Sequence, residues 1–340
     1  MTSTHAFQYS HTIGMYAQIG RGFNNPVDVA LGRDEMLYVI NRAGSDISSR
    51  MSYKRVSMCT LNEAFHGEFS HGGTADGQIM WPVSIAIDAE QRLYISDEAL
   101  HRISVFDQDG QFLYKWGMQG QGEGEFDRPA GLAFDADGHL LVADGLNHRV
   151  QRYTRDGQFL GQWGQHGHGA GEFYLPWGLA TDAANHVYVA DWRNDRIQKF
   201  DAQGTYVASW GALGSGEGEF HRPSGVAVDA DGLIYVADWG NERVQILDPD
   251  GHFLALLRGE AGVSKWGQDY FISNQDELEE RQQADLEPEL DLLPSDGPRE
   301  ESASIEKLFW GPTSVKIDAC GRLFVVDSCR HRIQVFNKTA

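Results

Sequence analysis

Basic residues are scarce in this chain, cysteines are scarcer, and a long hydrophobic run is missing altogether. Only 28 Lys and Arg stand against 49 Asp and Glu, a formal charge of −21. Nucleic acids and anionic membrane surfaces are bound largely through Lys and Arg that neutralise phosphates, so both are disfavoured as partners. The three cysteines, Cys59, Cys320 and Cys329, are odd in number and lack CxxC spacing, which argues against a disulfide framework and against a cysteine zinc site. Cys320 and Cys329 fall near opposite ends of one expected strand, too far apart to bond, and all three are expected to be reduced. Nowhere do about eighteen uncharged apolar residues run together. The start, MTSTHAFQYSHTIG, has neither a basic nor an apolar leader region, so a cytoplasmic location is expected.

What is present is repetition. Prolines 82, 129, 176 and 223 lie 47 residues apart with matching neighbours, and Pro26 and Pro312 head two further copies. Within a unit, GLAFD (131–135) and LLVAD (140–144) read as short strands joined by a tight ADG turn. RVQRYT (149–154) and QFLGQWG (158–164) follow as a third and a fourth. A four-stranded meander cannot bury both faces alone, so copies must stack, and a unit of this length and strand count is a propeller blade. The expected fold is all-β: a six-bladed propeller of four-stranded antiparallel blades, one domain over 1–340. Leu132, Phe134, Val142, Val150, Tyr153, Phe159 and Trp163, with their counterparts, are the expected core. The last unit stops after its third strand, HRIQVFNKTA, so an N-terminal strand should complete it and close the ring. MYAQIG (15–20) is assigned to that strand by its likeness to FLGQWG.

The string PxGLAxDxxGxLYVADxxNxRxQxF resembles the NHL repeat over nearly the whole chain. The likeness is strongest in VADGLNHRVQRY, VADWRNDRIQKF and VADWGNERVQIL. Unit one departs, with Asn41 at the Asp position and about nine extra residues before Arg55, and units two and six carry Leu100 and Arg330 for the Asn. In related amidating lyases a metal is held by histidines directly after the heading prolines. Val27, Val83, Ala130, Trp177, Ser224 and Thr313 occupy those positions here, so that site does not carry over. Neither a metal nor a cofactor is expected.

Asp97, Asp144, Asp191, Asp238 and Asp327 end the second strand, and Arg102, Arg149, Arg196, Arg243 and Arg332 begin the third, five residues on. Chemistry copied into nearly every blade is scaffold, an ion pair that pins the intervening loop. Asn147, Asn194 and Asn241 are expected to supply a left-handed turn, and Asp88, Asp135, Asp182, Asp229 and Asp318 to cap the turn between the first two strands. The GxGEF loops lack the Lys-Ser/Thr of a phosphate loop and read as blade linkers.

Function should then sit where the copies differ, on the face built from the linking loops and the loops between second and third strands. Arg42, Trp81, Glu98, Arg128, Tyr174, Trp177, Trp192, Arg222 and Trp239 are the candidate binding residues there, since Trp and Arg are the side chains that stack on rings and clamp carboxylates. A second difference is an acidic insertion at about 260–308, between blades five and six, with 14 acidic and 4 basic residues from Glu260 to Leu308. It reads as a solvated, partly helical or disordered loop, or as a lid or partner arm anchored by Trp266, Tyr270, Phe271 and Trp310. The favoured function is a binding platform for a protein, peptide or small-molecule ligand, acting as a monomer. The alternative is a channel-mouth hydrolase or lyase, lactonase-like or amidating-lyase-like, for which Asp28, Glu98 and His221 are the residues to hand.

Overall fold

The structure is a computed structural model and describes residues 7–43, 53–291, 293 and 297–339. Six four-stranded antiparallel sheets form a closed ring. Blade three shows the pattern: Pro129–Phe134, Leu140–Asp144, Arg149–Tyr153 and Phe159–Trp163, innermost to outermost. Alternation along each strand sends side chains to the two sheet faces, and both faces are buried because neighbouring blades cover them. Leu140, Val142, Val150 and Tyr153 are fully buried, with Phe134, Phe159 and Trp163 packed partly buried against such clusters.

Closure occurs as the missing strand required, but through other residues. Phe7–Ile13 is the outer strand of blade six, with Ile13 opposite Ile333 and Phe7 opposite Lys338. Residues 15–20, assigned above to this strand, lie instead in the linking loop, with Tyr16 bridging Phe23 as His166 bridges Phe173. The distance to the heading proline explains the correction. Gly117, Gly164 and Gly211 each precede their proline by twelve residues, and it is Gly14, not Gly20, that does so before Pro26. The Ile-Gly pair at 19–20 imitated the strand end that Ile13-Gly14 supplies.

The seam between blades six and one differs from the others. At the other seams described by glycine, Gly110, Gly157, Gly204 and Gly251 turn tightly against Phe69, Trp116, Trp163 and Trp210 of the preceding blade. In blade one the same turn carries Glu63, at φ 59°, and faces the smaller Ile13. The insertion makes up the difference. Its first helix, α1 (Lys265–Ser273), buries Trp266 between Phe23 and Phe65, and the indole Nε1 donates to the Glu63 carbonyl at 2.7 Å. The Glu63 carboxylate accepts from the backbone of Gly14 and Trp266. Burial pushes this carboxyl up, and those amides oppose the shift. Two further helices follow, α2 (Gln275–Gln283) and α3 (Pro298–Ser304). Tyr270 stays exposed, Phe271 lies under Arg281, and Trp310 lies under Arg299 and Arg330.

The extra residues of unit one fall mostly outside the described residues. The three thiols are unpaired, and burial pushes that of Cys59 up to about 12. No helix among the described residues is long and apolar enough to cross a membrane.

Candidate functional site

One network shapes the loop face. In blade three the buried Asp144 carboxylate accepts from Asp127 N (2.7 Å), Asn147 Nδ2 (2.8 Å), Arg149 Nε (2.9 Å) and Gln151 Nε2 (2.9 Å). The rest of the Arg149 fork donates to the carbonyls of Gln121, Gly122 and Glu125, tying the linking loop to the blade. Blades four and five repeat this with Asp191–Arg196 and Asp238–Arg243, and blade six keeps the pair as Asp327–Arg332. Burial pushes these carboxyls up, while the Asn, Arg and backbone donors hold them down.

Blade two departs from the expected pairing. Leu100 and Ser104 stand where other blades have Asn and Gln, and Asp97 accepts instead from the amides of Met80, Trp81, Ala99 and Leu100. Arg102 donates to loop carbonyls alone. In blade one, Asn41 takes the Asp position and Arg55 pairs with Glu68 at 2.7 Å.

The left-handed residues are not Asn147, Asn194 and Asn241. Those asparagines end short 3-10 turns, and their side chains donate to the Asp and to the linking loop. The next residues, His148, Asp195 and Glu242, hold φ near 50°, as do His101 and His331. Their side chains reach across to the following blade. Arg128 N and Leu175 N donate to His101 and His148 at 3.2 Å, Arg222 N to Asp195 at 2.7 Å, Asn25 N to His331 at 2.9 Å, and Gly311 N to Glu242. Each donating amide belongs to a residue that precedes a heading proline and is itself left-handed, including Arg128, Leu175 and Arg222. Non-glycine residues enter this region only when the surroundings enforce it. The cross-blade bond is that enforcement, and it sets where the rim side chains emerge. The capping aspartates behave as expected: Asp135, for example, accepts from the amides of Asp137 and His139.

Inside this rim lies a cavity of about 440 Å³, lined among others by Val83, Leu175, Leu179, Val226 and Val315 and by the candidates Arg42, Glu98, Arg128, Trp177, Trp192 and Trp239. Of the remaining three candidates, Trp81 and Arg222 stack on residues of the lining, whereas Tyr174 lies outside it. Trp81 has the guanidinium groups of Arg42 and Arg128 over its ring at 5.3 and 5.9 Å. The same two arginines grip the buried Glu98 carboxylate at 3.0 and 2.9 Å. Arg222 lies 5.0 Å over Trp192, whose ring is 6.0 Å from that of Trp177. Tyr174 sits beneath Arg193, next to His148, His166 and His168. Trp239 is covered by Arg299, which α3 brings in and which pairs with the buried Glu242 at 2.6 Å. Sequence reasoning missed Arg193 and Arg299. The first is one residue beyond the position compared across blades, and the second is distant in the chain.

Of the three residues considered for acid–base work, Asp28 accepts from Ser84 Oγ, Ser314 Oγ and Ile85 N and pairs with Lys316 at 3.1 Å. It thus ties together the innermost strands of blades one, two and six. Glu98 is held by its two arginines, and His221 is packed beside Gly240 rather than in the cavity lining. Two triads, Asp135/Asp137/His139 and Asp248/Asp250/His252, have metal-ligand residue types, but their first carboxylates cap turn amides.

Comparison with known proteins agrees with this architecture. The family model for the NHL repeat matches residues 126–153, 173–200, 220–247 and 309–336, and one described as a 6-bladed beta-propeller matches 51–137. The chain is an NHL-repeat six-bladed β-propeller. A segment of this NHL propeller is 32% identical over 53 residues to Protein brain tumor of Drosophila melanogaster, which is 16% of this chain and 5% of that protein. Among solved structures, a streptogramin B lyase superposes with a TM-score of 0.57 at 12% identity, covering 98% of both chains. A virginiamycin B lyase from Staphylococcus aureus with quinupristin gives 0.58 at 9% identity, covering 98% of this chain and 100% of that one. A gluconolactonase from Xanthomonas campestris gives 0.58 at 16% identity, covering 99% and 90%. At these identities the likeness establishes the fold alone.

Proposed function

We propose that this NHL propeller is a binding module whose ligand, a protein, a peptide or a small molecule, is taken up at the loop face around the central cavity. The observation that carries this reading is a preformed, mostly apolar cavity rimmed by tryptophan and arginine, the side chains that dominate recognition hot spots. The rim is built on left-handed backbone held by cross-blade bonds, so little ordering is left for binding to impose. Two carboxylates near the cavity, Asp28 and Glu98, are already engaged, which favours binding over hydrolysis or lysis. The formal charge of −21 weighs against nucleic acid and anionic membranes as partners.

The test is a thermal-shift screen of peptides and small molecules against the wild type and a Trp192→Ala/Trp239→Ala variant of matched secondary structure. Hits that stabilise the wild type and lose that effect in the variant are expected. Stabilisation of both proteins by every hit would overturn the assignment.

A further inference from the structure

The ligand class can be narrowed from the charges at the mouth. Although the chain as a whole is strongly acidic, Arg193 and Arg222 lie at 5.1 and 5.0 Å over the Trp192 ring, and among the described residues neither guanidinium has a carboxylate within ion-pair distance. The two carboxylates of the cavity lining do not offset them, and that of Asp195, outside the lining, accepts from the Arg222 amide. Glu98 is shared by Arg42 and Arg128, and Asp28 is matched by Lys316. A guanidinium stacked on an indole uses its face and leaves its in-plane N–H fork able to take two oxygens of a carboxylate or sulfonate with two hydrogen bonds. Beside that fork, Trp177 and Trp192 present aromatic surface that belongs to the cavity wall. The volume, about 440 Å³, suits a drug-sized molecule rather than a folded segment.

We infer that the cavity takes a small aryl acid, with its flat apolar body against Trp177 and Trp192 and its carboxylate or sulfonate on Arg193 and Arg222. This inference rests on the binding reading above. Its anionic end is set by the two arginines, its ring by the two tryptophans, and its size by the cavity. The two parts are separable because the arginines lie at the edge and the apolar wall lies inside.

The experiment uses two fluorescent probes of closely similar shape: 8-anilinonaphthalene-1-sulfonate, which carries an anion, and N-phenyl-1-naphthylamine, which does not. Each is titrated into the full chain and into Arg193→Gln/Arg222→Gln and Trp192→Ala variants, with melting temperatures recorded to verify folding. The wild type should bind the sulfonate at a single site at least about tenfold more tightly than the neutral probe, with the preference falling as salt is raised. The arginine double variant should lose that preference while keeping the neutral probe's affinity, and Trp192→Ala should weaken both. Equal affinity for the two probes, or a preference that survives the double substitution, would overturn the aryl-acid inference and leave the binding reading standing. If neither probe binds the folded wild type, the aryl-acid inference falls, while the binding reading is decided by the thermal-shift screen.

Discussion

Arg149 shows how much a single side chain carries here. It neutralises a carboxylate that is fully shielded from water and closes three loop carbonyls, so its removal strands Asp144 as a buried, poorly paired charge. Arg149→Ala is expected to cost about 3–5 kcal/mol in denaturant unfolding. Arg102→Ala should cost clearly less, because Asp97 is satisfied by four amides without its arginine. Equal losses would mean the ion pair itself matters little. His331 supplies a pH dependence. Its Nδ1 must be unprotonated to accept from Asn25, and burial lowers its pKa from 6.5 to about 4. With the folded value depressed, the stabilisation is present above pH 6.5 and is lost as pH falls toward 4, where the unfolded chain has already gained the proton. His331→Asn keeps an acceptor that does not titrate. Relative to this variant the wild type should lose about 2 kcal/mol over that window, measured by urea unfolding at several pH values. Parallel pH curves for the two would remove His331 as the titrating group.

At the level of elements, the insertion follows the sequence in one anchor, Trp266, but not in the place that anchor takes. Its acidity suggested solvent, yet α1 delivers Trp266 into the seam that Ile13 and Glu63 leave without a large aromatic. Trp266→Ala should therefore destabilise by about 3–5 kcal/mol, as expected for a deleted core indole. Tyr270→Ala, on the exposed side of the same helix, should change stability by less than about 0.5 kcal/mol. Similar thermal shifts for both would show that α1 does not seal the seam. The same scale accounts for the misplaced closing strand. Two Ile-Gly pairs lie six residues apart, and only the constant distance from strand end to heading proline, set by the linking loop, separates them.

For the molecule as a whole, stability depends on a ring whose last sheet joins the two ends of the chain. Deleting residues 1–14 removes the outer strand of blade six and reopens the edges of the ring. The expected result is loss of the cooperative melting transition in calorimetry, and a deletion that melts like the wild type would contradict the closure. Ring geometry also gathers the candidates. Trp81, Trp177, Trp192 and Trp239 belong to three different units, the middle two to the same blade, and their approach to one mouth follows from like loops emerging at one end of stacked like blades.

The blade, the number of blades, the closure between termini and the face on which the units differ were legible in the residues, because each follows from period and alternation, which are local properties. Which rim groups meet was set by packing between blades. Arg222 comes to Trp192 from the next linking loop, Arg299 reaches Trp239 from the insertion, and His331 bonds a residue 306 positions away. Such contacts depend on how neighbouring blades are positioned and on a helix packed across a seam, and no repeat pattern encodes distances between residues that occur only once.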